Sequence, residues 1–276
     1  MSILLPLLLG VVQVGPNPGA PQADAIPPEL REQRERTAAA QEQRSSRLVE
    51  CLRLTGSDPQ AGLAQAQSWR TSARGTDRAR AGHCEGLALV RLDRFGEAQA
   101  VFLAALGEAD EADMLYRARI GAMAGHAALA SKNAEGAIPA FQAAIADART
   151  GDDMMLAGQL EADLSGAYVV AGNTGEAAAA LNRARQAYPD SPRAWLLSAT
   201  LARRTDRLMD AQRFIERAAT LGPRDPAVGL EAGVIAALAR RDNDARASFA
   251  SVIEVAPDSP QAAQAQRYLE QLGAPE

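Results

Sequence analysis

The sequence has few aromatic residues and only one lysine. Aromatic side chains make up 4% of the 276 residues, and no run of alternating β-branched residues is present, which argues against a β-rich fold. Lys132 is the one lysine and the formal net charge of −5 is modest, so nothing indicates a nucleic-acid-binding protein. Alanine, in contrast, supplies about a fifth of the chain and favours closely packed helices.

Residues and motifs that carry catalysis are also scarce. The chain has two histidines and two cysteines, and it contains no G-x-S-x-G, H-E-x-x-H or G-x-x-x-x-G-K-[ST] motif. Cys51, His83, Cys84 and His126 do not follow the spacing of a zinc site. We therefore expect a protein that is not an enzyme, with no cofactor, no metal and no small-molecule substrate.

A 34-residue period dominates the second half of the sequence. Three alanines lie 34 residues apart, and each is followed at fixed distances by a large apolar residue, a small residue and a proline. A fixed period of this length predicts a stack of identical supersecondary units. The alanines are Ala177, Ala211 and Ala245, followed by Leu181, Ile215 and Phe249, then by Ala184, Ala218 and Val252, and then by Pro189, Pro223 and Pro257.

Earlier copies of the pattern give the chain a family resemblance. Two of them, beginning at Ala98 and Ala137, are spaced by 39 and 40 residues and therefore carry extra residues. Upstream of the alanines, the chain resembles the tetratricopeptide repeat (TPR) family at its aromatic, leucine, tyrosine and glycine positions. The matching residues are Trp195, Leu164, Tyr168, Gly86, Gly125 and Gly233.

The resemblance implies an all-α fold, an α-solenoid of stacked helix-turn-helix units. A unit of two antiparallel helices cannot bury its apolar face alone, so several must stack. We place five units at residues 79–259, a degenerate first unit at 45–78, and a C-terminal capping helix and tail at 260–276.

The N-terminal region differs from the repeats. Residues 3–14 are largely apolar but too short to span a bilayer, which needs about 20 residues. With the A-x-A pattern at residues 23–25 they predict a signal peptide at 1–25, cleaved after Ala25, and a periplasmic or secreted protein. The alternative is an apolar tail on a cytoplasmic protein. Residues 26–44 are predicted to form a charged helical or flexible arm.

Cys51 and Cys84 lie 33 residues apart, close to one repeat. They are expected on the first helices of neighbouring units, which pack side by side. In an exported protein such a pair is typical of a disulfide. The alternative is two buried free thiols, which behave as small apolar side chains.

In the TPR family the concave groove is lined by fixed positions of each first helix. Arginine recurs at position 2 of the helix in three units, as Arg80, Arg119 and Arg193, which predicts a positive rim on an otherwise apolar channel. The family's carboxylate clamp of Lys and Asn is missing. Acidic residues outside this set, Glu161 and Asp163 among them, are expected to be solvated. The predicted groove residues are Arg80, His83, Leu87, Arg119, His126, Arg193, Leu196, Thr200, Arg203, Leu230 and Val234.

These features favour a non-enzymatic scaffold or adaptor of the bacterial cell envelope. Its partner is expected to be a protein or an extended peptide with apolar anchors and either acidic residues or a free carboxylate. The alternative is a structural repeat protein that associates with itself to form a homo-oligomer.

Overall fold

The regular structure is helical, as the alanine-rich composition predicts. The computed structural model describes residues 28–273, and within them it contains 13 helices and no strand. The helices are α1 (Pro28–Ser57), α2 (Pro59–Ser72), α3 (Gly75–Arg91), α4 (Phe95–Glu108), α5 (Met114–Ala130), α6 (Ala134–Thr150), α7 (Met154–Val170), α8 (Thr174–Ala187), α9 (Pro192–Arg204), α10 (Leu208–Leu221), α11 (Pro226–Leu238), α12 (Asp242–Val255) and α13 (Pro260–Leu272).

The chain divides into two units at Ser46. In the first unit the described part is the beginning of α1, where residues 29–37 are exposed. The second unit, residues 47–276, holds the rest of α1 and all the other helices. The predicted signal peptide at residues 1–25 lies outside the described residues. No helix of the described part is long and apolar enough to cross a membrane.

Within the second unit the helices pair in sequence. The pairs are α3/α4, α5/α6, α7/α8, α9/α10 and α11/α12, and each helix also packs on the next one along the chain. We call α3, α5, α7, α9 and α11 the first helices and their partners the second helices. This arrangement is the all-α solenoid that the repeat predicts, and α13 packs on both helices of the last pair.

All five pairs turn in the same way. In each turn one residue has a positive φ, and the next residue donates its backbone N–H to the carbonyl five residues earlier, at 2.8–2.9 Å. This is the hydrogen-bonding pattern of a Schellman cap, which satisfies the last carbonyls of the first helix. Glycine occupies the left-handed position in one turn only, and the five residues are Asp93, Lys132, Gly172, Asp206 and Arg240.

The periodic alanines mark the places where paired helices cross. Ala177, Ala211 and Ala245 are each 0% exposed, which lets the backbones approach closely. The large residue four positions later packs towards the partner helix. A Cβ added to Gly125, for example, would lie 2.8 Å from the Phe141 ring, so this position must be glycine.

Side-chain size at these crossings is complementary from pair to pair. Where the second helix carries phenylalanine, the first helix carries glycine, and where it carries leucine or isoleucine, the first helix carries serine or alanine. The total volume is therefore kept nearly constant, as close packing requires. The five pairs are Gly86/Phe102, Gly125/Phe141, Ser165/Leu181, Ala199/Ile215 and Gly233/Phe249.

Prolines and polar caps set the helix boundaries. The second helices α8, α10 and α12 end two residues before Pro189, Pro223 and Pro257, because the residue before proline avoids helical geometry. The next helix then starts from a side-chain cap, such as Ser191 for α9 or Asp225 for α11. The extra residues of the earlier pairs lengthen their helices: α3, α5, α6 and α7 have 17 residues, whereas α9 and α11 have 13.

Candidate protein-binding face

The predicted groove residues lie on four of the five first helices, α3, α5, α9 and α11, and none of them is fully buried. Arg119, His126 and Arg193 are exposed, and the other eight are half-buried. Side-chain contacts join each first helix to the next: His83 to Tyr116, His126 and Arg193 to Asp163, and Arg203 to Glu231. We call these predicted residues, with Tyr116, Asp163 and Glu231, the first-helix face.

Asp163 of α7 is the centre of a polar network that connects three helices. Its carboxylate lies 3.2 Å from His126 Nε2 of α5 and 2.6 Å from Arg193 Nη2 of α9. Burial raises the pKa of Asp163, but the hydrogen bond from His126 and the charge of Arg193 together outweigh it and hold that pKa below its usual value. The His126 ring also packs edge-on against Phe141, with 5.0 Å between centroids.

A second ion pair joins α9 to α11. Arg203 donates to both oxygens of Glu231, from Nε at 2.7 Å and from Nη2 at 3.2 Å. Glu231 is buried, and the two-pronged geometry is the strong form of a guanidinium–carboxylate pair. It fixes the end of α9 against the middle of α11.

These pairs correct the predicted charge pattern. Of the three arginines predicted to form a positive rim, Arg193 is paired with Asp163, and the neighbouring Arg203 is paired with Glu231, so the positive charge does not continue into the C-terminal part of the face. The expectation that Asp163 is solvated is wrong, and so is that for Glu161, which is 2% exposed and bound by Arg149 and Arg183. The sequence does contain a pattern that could have identified Asp163 and Glu231, because each lies 14 residues before a periodic alanine.

The N-terminal part of the face contains an apolar pocket of about 250 Å³. It opens between α3, α4 and α5, at the height of Leu87 and His126. A pocket of this size and lining accepts one large apolar side chain. The lining residues are Leu87, Val90, Phe95, Phe102, Met123, His126, Ala127 and Ala130.

A second apolar pocket lies at the C-terminal end, with a volume of about 270 Å³. Val234 and Leu238 of α11 line it together with Phe249 of α12 and Tyr268 of α13. Leu230 and Val234 pack against the core of this last pair, and Leu196 packs against the core of the pair before it. Apolar surface therefore occurs at both ends of the face.

Beside the first pocket, the side chains of Arg80, His83 and Tyr116 lie close together. The rings of His83 on α3 and Tyr116 on α5 are 5.9 Å apart. Burial lowers the pKa of His83 to about 4, so its ring is neutral at pH 7. Burial also raises the pKa of Tyr116, against a smaller opposite effect from the charge of Arg80. Tyr116 was not among the predicted residues because it precedes the position of Arg119 by one helical turn.

Cys51 and Cys84 are joined by a disulfide between α1 and α3. Their Cα atoms are 6.2 Å apart, and both residues are 0% exposed. The bond lies in a small core with Trp69, next to Thr55, whose hydroxyl is 3.5 Å from Cys84 Sγ. Both cysteines are thus used within the core, and among the described residues no group of three or more His, Cys, Asp or Glu could hold a metal.

Removing the disulfide should loosen the N-terminal end of the solenoid. For the double variant Cys51→Ala/Cys84→Ala we expect a loss of about 3 kcal/mol, because a cross-link over this loop length restricts the unfolded chain. The loss should be local, since repeat stability is a sum over neighbouring units. Hydrogen exchange should therefore rise in residues 47–91 and stay unchanged in α9–α12. Equal exchange of both proteins in residues 47–91 would contradict this.

Comparison with known proteins agrees with this architecture. Residues 159–201, which span most of α7, all of α8 and most of α9, match the model of the Tetratricopeptide repeat family. No curated protein matches the sequence. Among solved structures, PilW, described as a widely conserved type IV pilus biogenesis factor, has a TM-score of 0.64 at 18% identity, covering 81% of this chain and 98% of that one.

Two further structures have the same fold. PilF from Pseudomonas aeruginosa has a TM-score of 0.62 at 14% identity, covering 83% of this chain and 99% of its own. MamA from Desulfovibrio magneticus RS-1 has a TM-score of 0.53 at 15% identity, covering 68% and 99%. The described chain is thus an α-solenoid of paired helices. Its 34-residue period and the match of residues 159–201 are those of the tetratricopeptide repeat, and its fold is that of a tetratricopeptide repeat solenoid.

Proposed function

We propose that the chain is a non-enzymatic scaffold of the bacterial cell envelope that holds a partner protein or an extended peptide on its first-helix face. One observation carries the proposal: half-buried apolar side chains and an open apolar pocket lie on one continuous face with exposed cations. This is the combination that a protein surface needs for apolar anchoring with polar orientation.

Two features support the envelope as the compartment. Residues 1–25 have the composition of a signal peptide, and the buried disulfide is typical of an oxidising compartment. PilW, which has the same fold, is described as a pilus biogenesis factor. On this proposal the mature protein begins at Ile26, and intact-mass measurement of the protein from its host checks the cleavage.

Site-specific photo-crosslinking tests the binding face. We expect a photoreactive residue at Leu196, a half-buried position of α9 on the first-helix face, to yield an adduct with a partner in living cells. Met209, which is 85% exposed on the second helix α10, is the matched control and should yield none. Adducts at Met209 but not at Leu196 would move the site to the second helices.

Binding to the partner so identified should then depend on the apolar surface. Leu196→Asp is expected to weaken it at least about tenfold, or roughly 1.4 kcal/mol, whereas Met209→Asp leaves it unchanged. Circular dichroism of both variants controls for folding. An adduct of twice the protein's own mass, with a dimer in light scattering, would instead support the self-associating alternative.

A further inference from the structure

Three buried polar atoms on the first-helix face have no hydrogen-bond partner within residues 28–273. They are Arg80 Nη1, His83 Nδ1 and Tyr116 Oη, and they belong to two adjacent helices. An unpaired buried polar atom typically costs about 1–3 kcal/mol, so three together need a common explanation. Each of the three residues is half-buried and not fully enclosed, so a side-chain rotation can present these covered atoms to a ligand.

All three atoms can donate a hydrogen bond to the same kind of acceptor. Arg80 has only donors, the Tyr116 hydroxyl can donate, and a neutral imidazole carries one N–H, which can be at Nδ1. A carboxylate accepts hydrogen bonds and donates none. It would therefore satisfy the whole group, which we call the α3/α5 polar cluster, and would compensate the charge of Arg80.

Within the described residues two arginines at this cluster form no ion pair, although the negative charge of Asp113 also acts on Tyr116. In the described part of the chain no acidic side chain pairs with Arg80 or with Arg119, one turn beyond Tyr116 on α5, whereas Arg193 and Arg203 are both paired. We therefore favour a partner segment with acidic side chains over a chain end. The end of a chain supplies one carboxylate, whereas the face presents two separate cations.

The apolar pocket continues the same stripe of α3. Arg80 and His83 belong to the cluster, and Leu87 and Val90 line the pocket, so the two centres are separated by seven residues or about 10 Å along the helix. A polyproline II peptide advances about 3.1 Å per residue and brings every third side chain back to the same side. An acidic and an apolar side chain three positions apart would reach both centres.

We propose that the α3/α5 polar cluster and the adjoining pocket form a two-point site for an extended segment of a partner protein, with an acidic side chain three residues before a large apolar one. This inference rests on the proposed function, because it names the partner chemistry of the same face. The carboxylate accepts hydrogen bonds from the cluster, and the apolar side chain enters the pocket beside Leu87.

A double-mutant cycle with defined peptides tests the site. The probe is fluorescein-labelled Glu-Pro-Pro-Leu-amide, compared with Gln-Pro-Pro-Leu-amide by fluorescence anisotropy with the full mature chain. We expect Glu→Gln in the probe to weaken binding about tenfold. Arg80→Gln should cause a similar loss for the Glu probe and no further loss for the Gln probe, because both changes remove one interaction. Tyr116→Phe should act in the same direction.

Arg91→Gln is the matched protein control, since it removes an exposed arginine of α3 that is not in the cluster; it should leave the difference between the probes unchanged. Equal binding of the two probes, or equal effects of Arg80→Gln on both, would overturn the inference. So would tighter binding of Leu-Pro-Pro-Gly with a free carboxylate, which would indicate recognition of a chain end.

The two proposals fail in different ways. If both peptides bind equally and Leu87→Asp abolishes the binding, the proposal that the first-helix face binds a partner is supported. The proposal of an acidic subsite is then wrong. If neither peptide binds, the two-point site is wrong, while the photo-crosslinking at Leu196 still decides the proposed function.

Discussion

The variant Ala211→Glu should lose about 5 kcal/mol of unfolding free energy, or most of the cooperative unfolding of its repeat. Ala211 is 0% exposed and shares a core with Ala199 and Ala202 of the facing helix. A glutamate at this position must either bury a charge without a partner or force α9 and α10 apart. Thermal and urea denaturation followed by circular dichroism measures the loss.

An exposed alanine of another second helix provides the control. Ala179→Glu places the same side chain on α8, where Ala179 is exposed, and it should change stability by no more than about 0.5 kcal/mol. An unchanged melting temperature of Ala211→Glu would mean that the helices do not cross at this residue.

The fold was predictable because its signal is local and repeated. The fixed spacing of Ala177, Ala211 and Ala245 predicts the crossings, and the structure confirms an all-α solenoid with these alanines buried. The size pairing of residues such as Gly125 and Phe141 could also be found in the sequence, once the alanines fix the register.

The turns were harder to predict in detail. Non-glycine residues with a positive φ are uncommon, yet Asp93, Lys132, Asp206 and Arg240 all occupy that position. The helix packing on both sides determines the turn conformation. The residue type alone therefore does not reveal it, apart from Gly172.

The candidate site was predictable in position but not in charge. Family positions locate Arg193 and Arg203 on the first helices, but their partners Asp163 and Glu231 belong to neighbouring repeats 28–30 residues away. Whether such groups meet depends on the packing of the helices against each other. The same limit explains why the cluster of Arg80, His83 and Tyr116 was not foreseen.

Glu161 is the clearest case of an acidic side chain that pairs with arginines of neighbouring helices and is not hydrated. It lies in the middle of α7 and is 2% exposed, and it accepts hydrogen bonds from Arg149 Nη2 at 2.8 Å and from Arg183 Nε at 2.9 Å. These arginines come from α6 and α8, so the three charges join consecutive helices around the middle of the repeat array. The two arginines stabilise the fold because, without them, the Glu161 carboxylate would be buried with no counter-charge.

Removing both arginines should therefore destabilise the protein strongly. For Arg149→Ala/Arg183→Ala we expect a loss of about 4 kcal/mol, because breaking a buried pair leaves a charge without compensation. The exposed ion pair between Arg94 and Glu97, with side chains 42% and 60% exposed, is the control, and Arg94→Ala should leave the stability close to that of the wild type. Urea denaturation of the three proteins gives the comparison.

Rescue by Glu161→Gln distinguishes charge from packing. In the background without both arginines, the neutral amide should recover at least half of the lost stability, since it needs hydrogen bonds but no counter-charge. In the wild-type background the same change should cost stability, because the amide carries no charge to pair with the two arginines and replaces one acceptor oxygen of Glu161 by an NH2 group. If Glu161→Gln destabilises both backgrounds equally, the arginines stabilise α6 and α8 through their aliphatic chains, and the buried carboxylate is not the reason for their presence.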